Sequence, residues 1–161
     1  YYLSGYTSKA IGTEMGLTET QATFSSCFGA AFLTLHPIWY AEVFENKILK
    51  HKSKIYLINT GWNGKKERLS LEKTRNIIHQ INTGSISNDK FLTIPYFNLQ
   101  IPQLLLENDL DFYDPRLSFN TTEDWDKNAL ELAKKFNDNF QKFRSLKSDL
   151  ADKYSLFGPQ I

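Results

Sequence analysis

Cysteine is nearly absent from this chain. Cys27 is the only one in 161 residues, so no disulfide can form within it. A chain without internal cross-links fits a reducing compartment, and a cytoplasmic location is expected. Cys27 lies between Ser26 and Phe28 with no neighbouring base identifiable. It reads as a small core residue instead of a nucleophile. Charge of one sign is also missing: 19 basic and 18 acidic residues leave +1. That balance gives no footprint for nucleic acid or an anionic membrane. No apolar run approaches the roughly 20 residues of a membrane span, and the opening residues lack the basic-then-apolar pattern of a secretory leader.

Several chemical motifs are absent as well. There is no G-x-x-x-x-G-K-[ST] phosphate loop, no HExxH, no GxSxG elbow and no EF-hand loop. The nearest approach to a phosphate loop is Gly61-Trp62-Asn63-Gly64-Lys65. Its glycines are too close together, and Lys66 stands where a metal-binding hydroxyl is needed. The three histidines, His36, His51 and His79, have no metal-ligand spacing, so no metal ligand is assigned. Glu14 and Glu19 read as solvated loop carboxylates, and no catalytic residue is assigned.

What is present is enough for one packed domain. Hydrophobic residues make up 41% and aromatics 14% of the chain, which argues against disorder. Residues 1–23 are small, polar and glycine-bearing, and read as a long loop with at most one short element. Pro37 suits a helix's first turn, and Tyr40, Phe44 and Ile48 recur four apart, giving a helix to about Lys50. Lys54 to Thr60 reads as a strand covered on both faces. Ser70 is a plausible N-cap for a helix to about Asn82, stopped near Gly84. Residues 91–101 read as edge or irregular extended chain, punctuated by Pro95 and Pro102. Residues 104–115 read as irregular and acidic. Thr121 or Thr122 caps a last long helix whose stripe is Trp125, Ala129, Leu132, Phe136, Phe140 and Phe143. The tail after Ser145 reads as a further short helix, with order ending at Gly158-Pro159.

The segment Ile55 to Arg75, IYLINTGWNGKKERLSLEKTR, concentrates the functional signal. A strand that feeds a turn and then a helix start brings free backbone N–H groups and an arginine to one space, a common nucleotide setting. Each residue also has a plain structural reading. Arg68 is then a solvated cation in the Lys65–Arg68 run, Leu69 a core residue and Thr74 an ordinary member of the helix stripe.

Together with FSSCFGAAFLTLHP, LSGYTSKAIGTE, IPYFNLQIP and DPRLSF, this segment resembles the C-terminal part of ATP-dependent phosphoenolpyruvate carboxykinase. The resemblance implies an α/β fold, a mixed sheet with helices packed against it. Residues 1–161 would be the C-terminal portion of a nucleotide-binding catalytic domain, with 4–28 a lid-like region. It places ATP contacts on Arg68, Leu69 and Thr74. It implies a gluconeogenic lyase that converts oxaloacetate and ATP to phosphoenolpyruvate, carbon dioxide and ADP, using Mg2+ with the nucleotide and Mn2+ at the catalytic centre. The phosphate loop, metal ligands and substrate-binding arginine are expected upstream of Tyr1, so this piece alone is expected to be inactive. Three positions depart from the family pattern: Lys73 replaces an acidic residue, Met15 an arginine and Thr20 a proline. Two other readings stand beside this one: a non-catalytic nucleotide- or partner-binding module, and a structural fragment of the enzyme.

Overall fold

The computed structural model describes residues 1–9, 21–65, 67–88, 90–103 and 114–161. The chain divides into two compact units, one of Tyr1–Ile55 with Lys134–Gln160, the other of Tyr56–Ala133 with Ile161.

In the first unit, β1 (Tyr6–Lys9) pairs antiparallel with β2 (Gln21–Phe24), Tyr6 opposite Phe24. The expected long loop therefore has a hairpin at its two ends. Sequence periodicity missed it because the two strands are only four residues each and far apart in the chain. Helix α1 (Pro37–His51) follows. Proline at its first position fixes φ where no N–H is needed, and the His36 imidazole accepts from the Ile38 N–H at 3.4 Å. Lys52 closes the helix in the left-handed region, with Lys50 and His51 in its last turn.

A core of Leu3, Ala41 and Phe143 forms here, flanked by Tyr2, Cys27, Phe140 and Tyr154. Burial of the Phe143 ring alone stabilises by roughly 2–3 kcal/mol. Phe136 is the hub of an aromatic group, its ring centroid 5.2–5.4 Å from those of Tyr1, Tyr6 and Phe24. Helix α4 (Ser148–Ser155) is tied to α1 by polar links. Lys147 pairs with Glu42 at 2.7 Å, and the Tyr154 hydroxyl donates to Glu45 at 2.9 Å. The Lys153 ammonium also pairs with Glu45 and is the main reason its carboxyl is held below the usual range.

In the second unit, α2 (Leu71–Thr83) begins where Ser70 predicts. The Ser70 hydroxyl accepts from the Lys73 N–H at 3.2 Å, and Gly84 at φ 75° ends the helix. Ile77, Leu69 and Ile86 form its core, with Tyr56 and Ile81 against them. Next, β3 (Phe91–Ile94) and β4 (Leu99–Pro102) form a second antiparallel hairpin, where extended edge chain was expected. Its turn holds Tyr96 and Asn98 at positive φ. Ile94, Trp125 and Ala129 make a further core, and Tyr96 stacks on Trp125 at 5.6 Å.

The long helix α3 (Thr122–Phe140) takes its cap from Thr121, whose hydroxyl accepts from the Asp124 N–H at 3.1 Å. Glu123 and Asp124 complement its dipole. Its stripe is buried as the spacing predicts at Trp125, Ala129 and Phe136, while Leu132 is half-buried beside the fully buried Ala133.

Two further expectations are corrected. Residues 54–60 form no strand. Ile55 and Leu57 are 50% and 52% exposed, and no described strand pairs with them. A continuous apolar run specifies a doubly covered strand only where neighbours exist to cover it. Helices and sheet are both present, as expected. The single mixed sheet is not formed by the described residues, whose strands pair only as two antiparallel hairpins. No helix among the described residues is long and apolar enough to cross a membrane.

Candidate functional site

The segment between residues 54–60 and α2 folds as a hairpin. Leu69 N–H donates to Gly61 C=O at 3.0 Å, and Asn63 N–H donates to Glu67 C=O at 2.9 Å. Between these bonds Trp62 and Arg68 form an antiparallel bridge. The turn is locked by its own side chains. Asn63 Oδ1 accepts from the Glu67 N–H at 2.8 Å, while its Nδ2 donates to Glu67 Oε2 at 2.9 Å. Asn59 fixes the entry: its Oδ1 accepts from the Gly61 N–H at 2.8 Å and its Nδ2 donates to the Trp62 carbonyl at 3.2 Å. Asn and Asp side chains stabilise turns by this local bonding.

The tip lies against residues 118–119. Gly64 N–H donates to Ser118 Oγ at 3.2 Å, and a Cβ on Gly64 would stand 2.5 Å from that oxygen and 2.8 Å from the Phe119 ring. Ser118 is in turn held by the Pro115 carbonyl at 2.8 Å. Asp114 opens that turn by accepting from the Arg116 N–H at 3.0 Å, and it takes the Arg116 guanidinium in a forked pair at 2.6–3.1 Å. Burial pushes the Asp114 carboxyl upward, but the bonds from Arg116 outweigh it and leave it below the usual carboxylate range. Gly64, Lys65, Ser118, Phe119, Asn120, Asp124 and Asn128 line an open polar depression of about 480 Å³.

The three expected ATP contacts fall in different settings. Arg68 is exposed, and its guanidinium has no hydrogen-bond or ion-pair partner among the described residues. Leu69 is buried at 7% exposure and packs with Ile77 and Ile86. Its side chain is core, and its N–H is spent on Gly61. Thr74 is half-buried in the first turn of α2, its hydroxyl donating to the Ser70 carbonyl at 3.0 Å. The fold thus brings the three onto one hairpin-to-helix junction, with Arg68 the most available. Lys73 cannot return the reciprocal bond of a capping box, so Ser70 caps from one side only.

Trp62, Asn59 and the Asn63–Glu67 clamp were not singled out by sequence reasoning. Asn63-Gly64 signals a turn, but Trp62 and Arg68 bracket the five residues 63–67, so the two-residue Asn-Gly rule does not by itself give their pairing. His36 and His79 sit as expected, at a helix entry and on an exposed helix face. Burial pushes the Cys27 thiol up, in keeping with a packing role. Lys66, Glu14, Met15, Glu19 and Thr20 lie outside the described residues. Among the described residues no group of three or more His, Cys, Asp and Glu side chains is placed to hold a metal.

Residues 1–110 match the family model described as phosphoenolpyruvate carboxykinase. Among curated relatives, the chain is 49% identical over all 161 residues to the phosphoenolpyruvate carboxykinase (ATP) of Wigglesworthia glossinidia brevipalpis. The match covers 100% of this chain and 29% of that relative, so the chain spans less than a third of its length. With the match running over the hairpin and α2, this chain belongs to the ATP-dependent phosphoenolpyruvate carboxykinase family.

Proposed function

We propose that this chain serves an ATP-dependent phosphoenolpyruvate carboxykinase, a gluconeogenic lyase acting on oxaloacetate and ATP in the cytoplasm. In this reading it forms the C-terminal portion of the nucleotide-binding domain and supplies the adenosine contacts. The observation that carries it is the 49% identity across the whole chain to an enzyme of that name. The hairpin supports it: Arg68 stands exposed at a junction whose backbone is already fixed, so binding has only its side chain to order. Arg68 would lie against the base or donate to a ribose or phosphate oxygen. Thr74 would offer its hydroxyl oxygen as an acceptor, and Leu69 would form the apolar floor beneath them.

The reaction releases carbon dioxide from oxaloacetate and transfers the γ-phosphoryl group of ATP to the enolate oxygen that remains. Mg2+ and Mn2+, when bound, would stabilise that enolate and the phosphoryl charge. The described residues do not present a metal-ligand set, so no step is assigned to a metal held by this chain. Its part is to hold the base. Residues 4–28 would act as a lid-like region. Its described ends are the β1–β2 hairpin and the turn at Cys27 and Phe28, both at positive φ.

The test is an assay of the intact protein for phosphoenolpyruvate formed from oxaloacetate and ATP, with Arg68→Ala in parallel. The expected result is activity in the wild type and a KM for ATP raised roughly ten-fold in the variant, with the oxaloacetate KM unchanged. Absence of phosphoenolpyruvate formation in the wild type would remove the reading.

A further inference from the structure

We infer that Trp62 is a further base-recognition residue: its indole face and the Arg68 guanidinium make one platform for the purine of a nucleoside triphosphate. The inference rests on the nucleotide-binding reading of Arg68 and adds a residue which that reading leaves out.

The hydrogen bonds on either side of the Trp62–Arg68 bridge, Leu69 to Gly61 and Asn63 to Glu67, make it a non-hydrogen-bonded antiparallel pair. In such pairs the two side chains leave the ribbon on the same face and at its closest spacing. Trp62 is 51% exposed and Arg68 is exposed. Among the described residues the indole has no ring, cation or hydrogen-bond partner, and neither has the guanidinium.

The other two tryptophans show what an engaged indole looks like here. Trp125 is 4% exposed and stacked on Tyr96. Trp39 carries the Lys147 ammonium 3.4 Å from its ring centroid. Trp62 has neither kind of partner, although its backbone is held by Asn59 and by both bridge bonds. A half-exposed indole held in register beside an arginine suits a flat, electron-rich ring. Stacking supplies contact with either face of a purine, and the guanidinium adds charge at its edge.

Stacking is tolerant of base identity, because every base has a π-face. The platform therefore adds affinity for adenine and guanine nucleotides alike and none for a ligand without a base. The experiment is calorimetric titration of the intact protein with ATP, GTP and inorganic tripolyphosphate, using wild type, Trp62→Ala, Trp62→Phe and Arg68→Ala. Trp62→Ala is expected to weaken ATP roughly ten-fold, and GTP by a similar factor where it binds, while Trp62→Phe keeps most of the affinity. Tripolyphosphate binding should be unchanged by both Trp62 variants.

Equal ATP affinity in wild type and Trp62→Ala would overturn the inference. So would equal losses of ATP and tripolyphosphate, which would mark a structural role. If Arg68→Ala is weakened and Trp62→Ala is not, only the present inference falls. If Arg68→Ala binds ATP as the wild type does, the reading of Arg68 falls and the shared platform with it.

Discussion

Residues 1–9 with 21–28 and the hairpin from Gly61 to Leu69 are both fixed by backbone hydrogen bonds, yet they differ in how they use their aromatic side chains. In the first, Gly5 donates to Tyr1, Ser25 donates to Gly5 and Cys27 donates to Tyr2, all at 2.8–3.0 Å. Leu3 is buried there and Tyr6 and Phe24 pack against Phe136, while Phe28 is 53% exposed. In the second, short polar side chains, Asn59, Asn63 and Glu67, secure the backbone, and the large side chains at 62 and 68 stand in water. Residues used for packing are unavailable to a ligand. In the hairpin Leu69 is spent on the core, and Trp62 and Arg68 are left free for one.

Substitutions can break or sharpen that contrast. The largest effect is expected at Phe143, 1% exposed at the centre of the first unit's core. Phe143→Ala should cost about 3–5 kcal/mol in urea unfolding. A loss under about 1 kcal/mol would mean this core is not cohesive.

Gly5→Ala follows. Gly5 lies at φ 58°, and a Cβ there would stand 1.8 Å from the Ser25 carbonyl oxygen. Backbone must move to admit it, so a loss of at least about 3 kcal/mol is expected by the same measurement. An unchanged unfolding midpoint would show that the first turn is not built as described.

At the junction of the second hairpin, Ser70→Ala should cost about 1 kcal/mol by removing the α2 cap. Lys73→Glu should recover a few tenths of a kcal/mol in the wild-type background by completing a capping box. Both are read from denaturation midpoints, and no change in either would place the helix start elsewhere.

A smaller effect depends on pH. Glu45 is held below its ordinary value of 4.5, first by Lys153 and also by the Tyr154 hydroxyl. A depressed carboxyl stabilises the fold above its unfolded value, and that contribution disappears as pH falls through the lower folded one. The Lys153 side chain is 47% exposed, so solvent screening keeps the contribution below about 1 kcal/mol. Comparing Glu45→Gln with wild type should show a deficit at pH 7 that closes at low pH. A deficit that grows on acidification would reverse the sign of this argument.

The smallest stability change is expected at the proposed site. Arg68→Ala should leave unfolding within about 0.5 kcal/mol of wild type, since its side chain holds nothing in place. A loss as large as that of Ser70→Ala would make Arg68 structural and erase the contrast between the two regions.

Helix positions were legible in the sequence because capping is local chemistry. Ser70, Gly84, Pro37 and Thr121 act on atoms within a few residues of themselves. The stripe from Trp125 to Phe136 was legible for the same reason, since 3.6-residue periodicity is a property of one segment. Strand pairing is not local. Nothing in the apolar run 55–58 says whether a neighbour is present, and nothing in Tyr6 names Phe24 as its partner. Of the candidate site, Arg68 and Thr74 lie at the hairpin-to-helix junction the sequence indicates. The burial of Leu69 depends on Ile86, which lies beyond the end of α2 and invisible to helical spacing. The pairing of Trp62 with Arg68 closes a longer turn than Asn63-Gly64 alone specifies, so their shared face was not legible in the sequence.

A crystal structure of the intact protein with Mg2+ and ATP bound gives the most direct measurement. The account predicts the adenine ring in contact with the Arg68 guanidinium, on the face of the 61–69 hairpin that also carries Trp62. Adenine bound elsewhere, with that face still open to water, would contradict it.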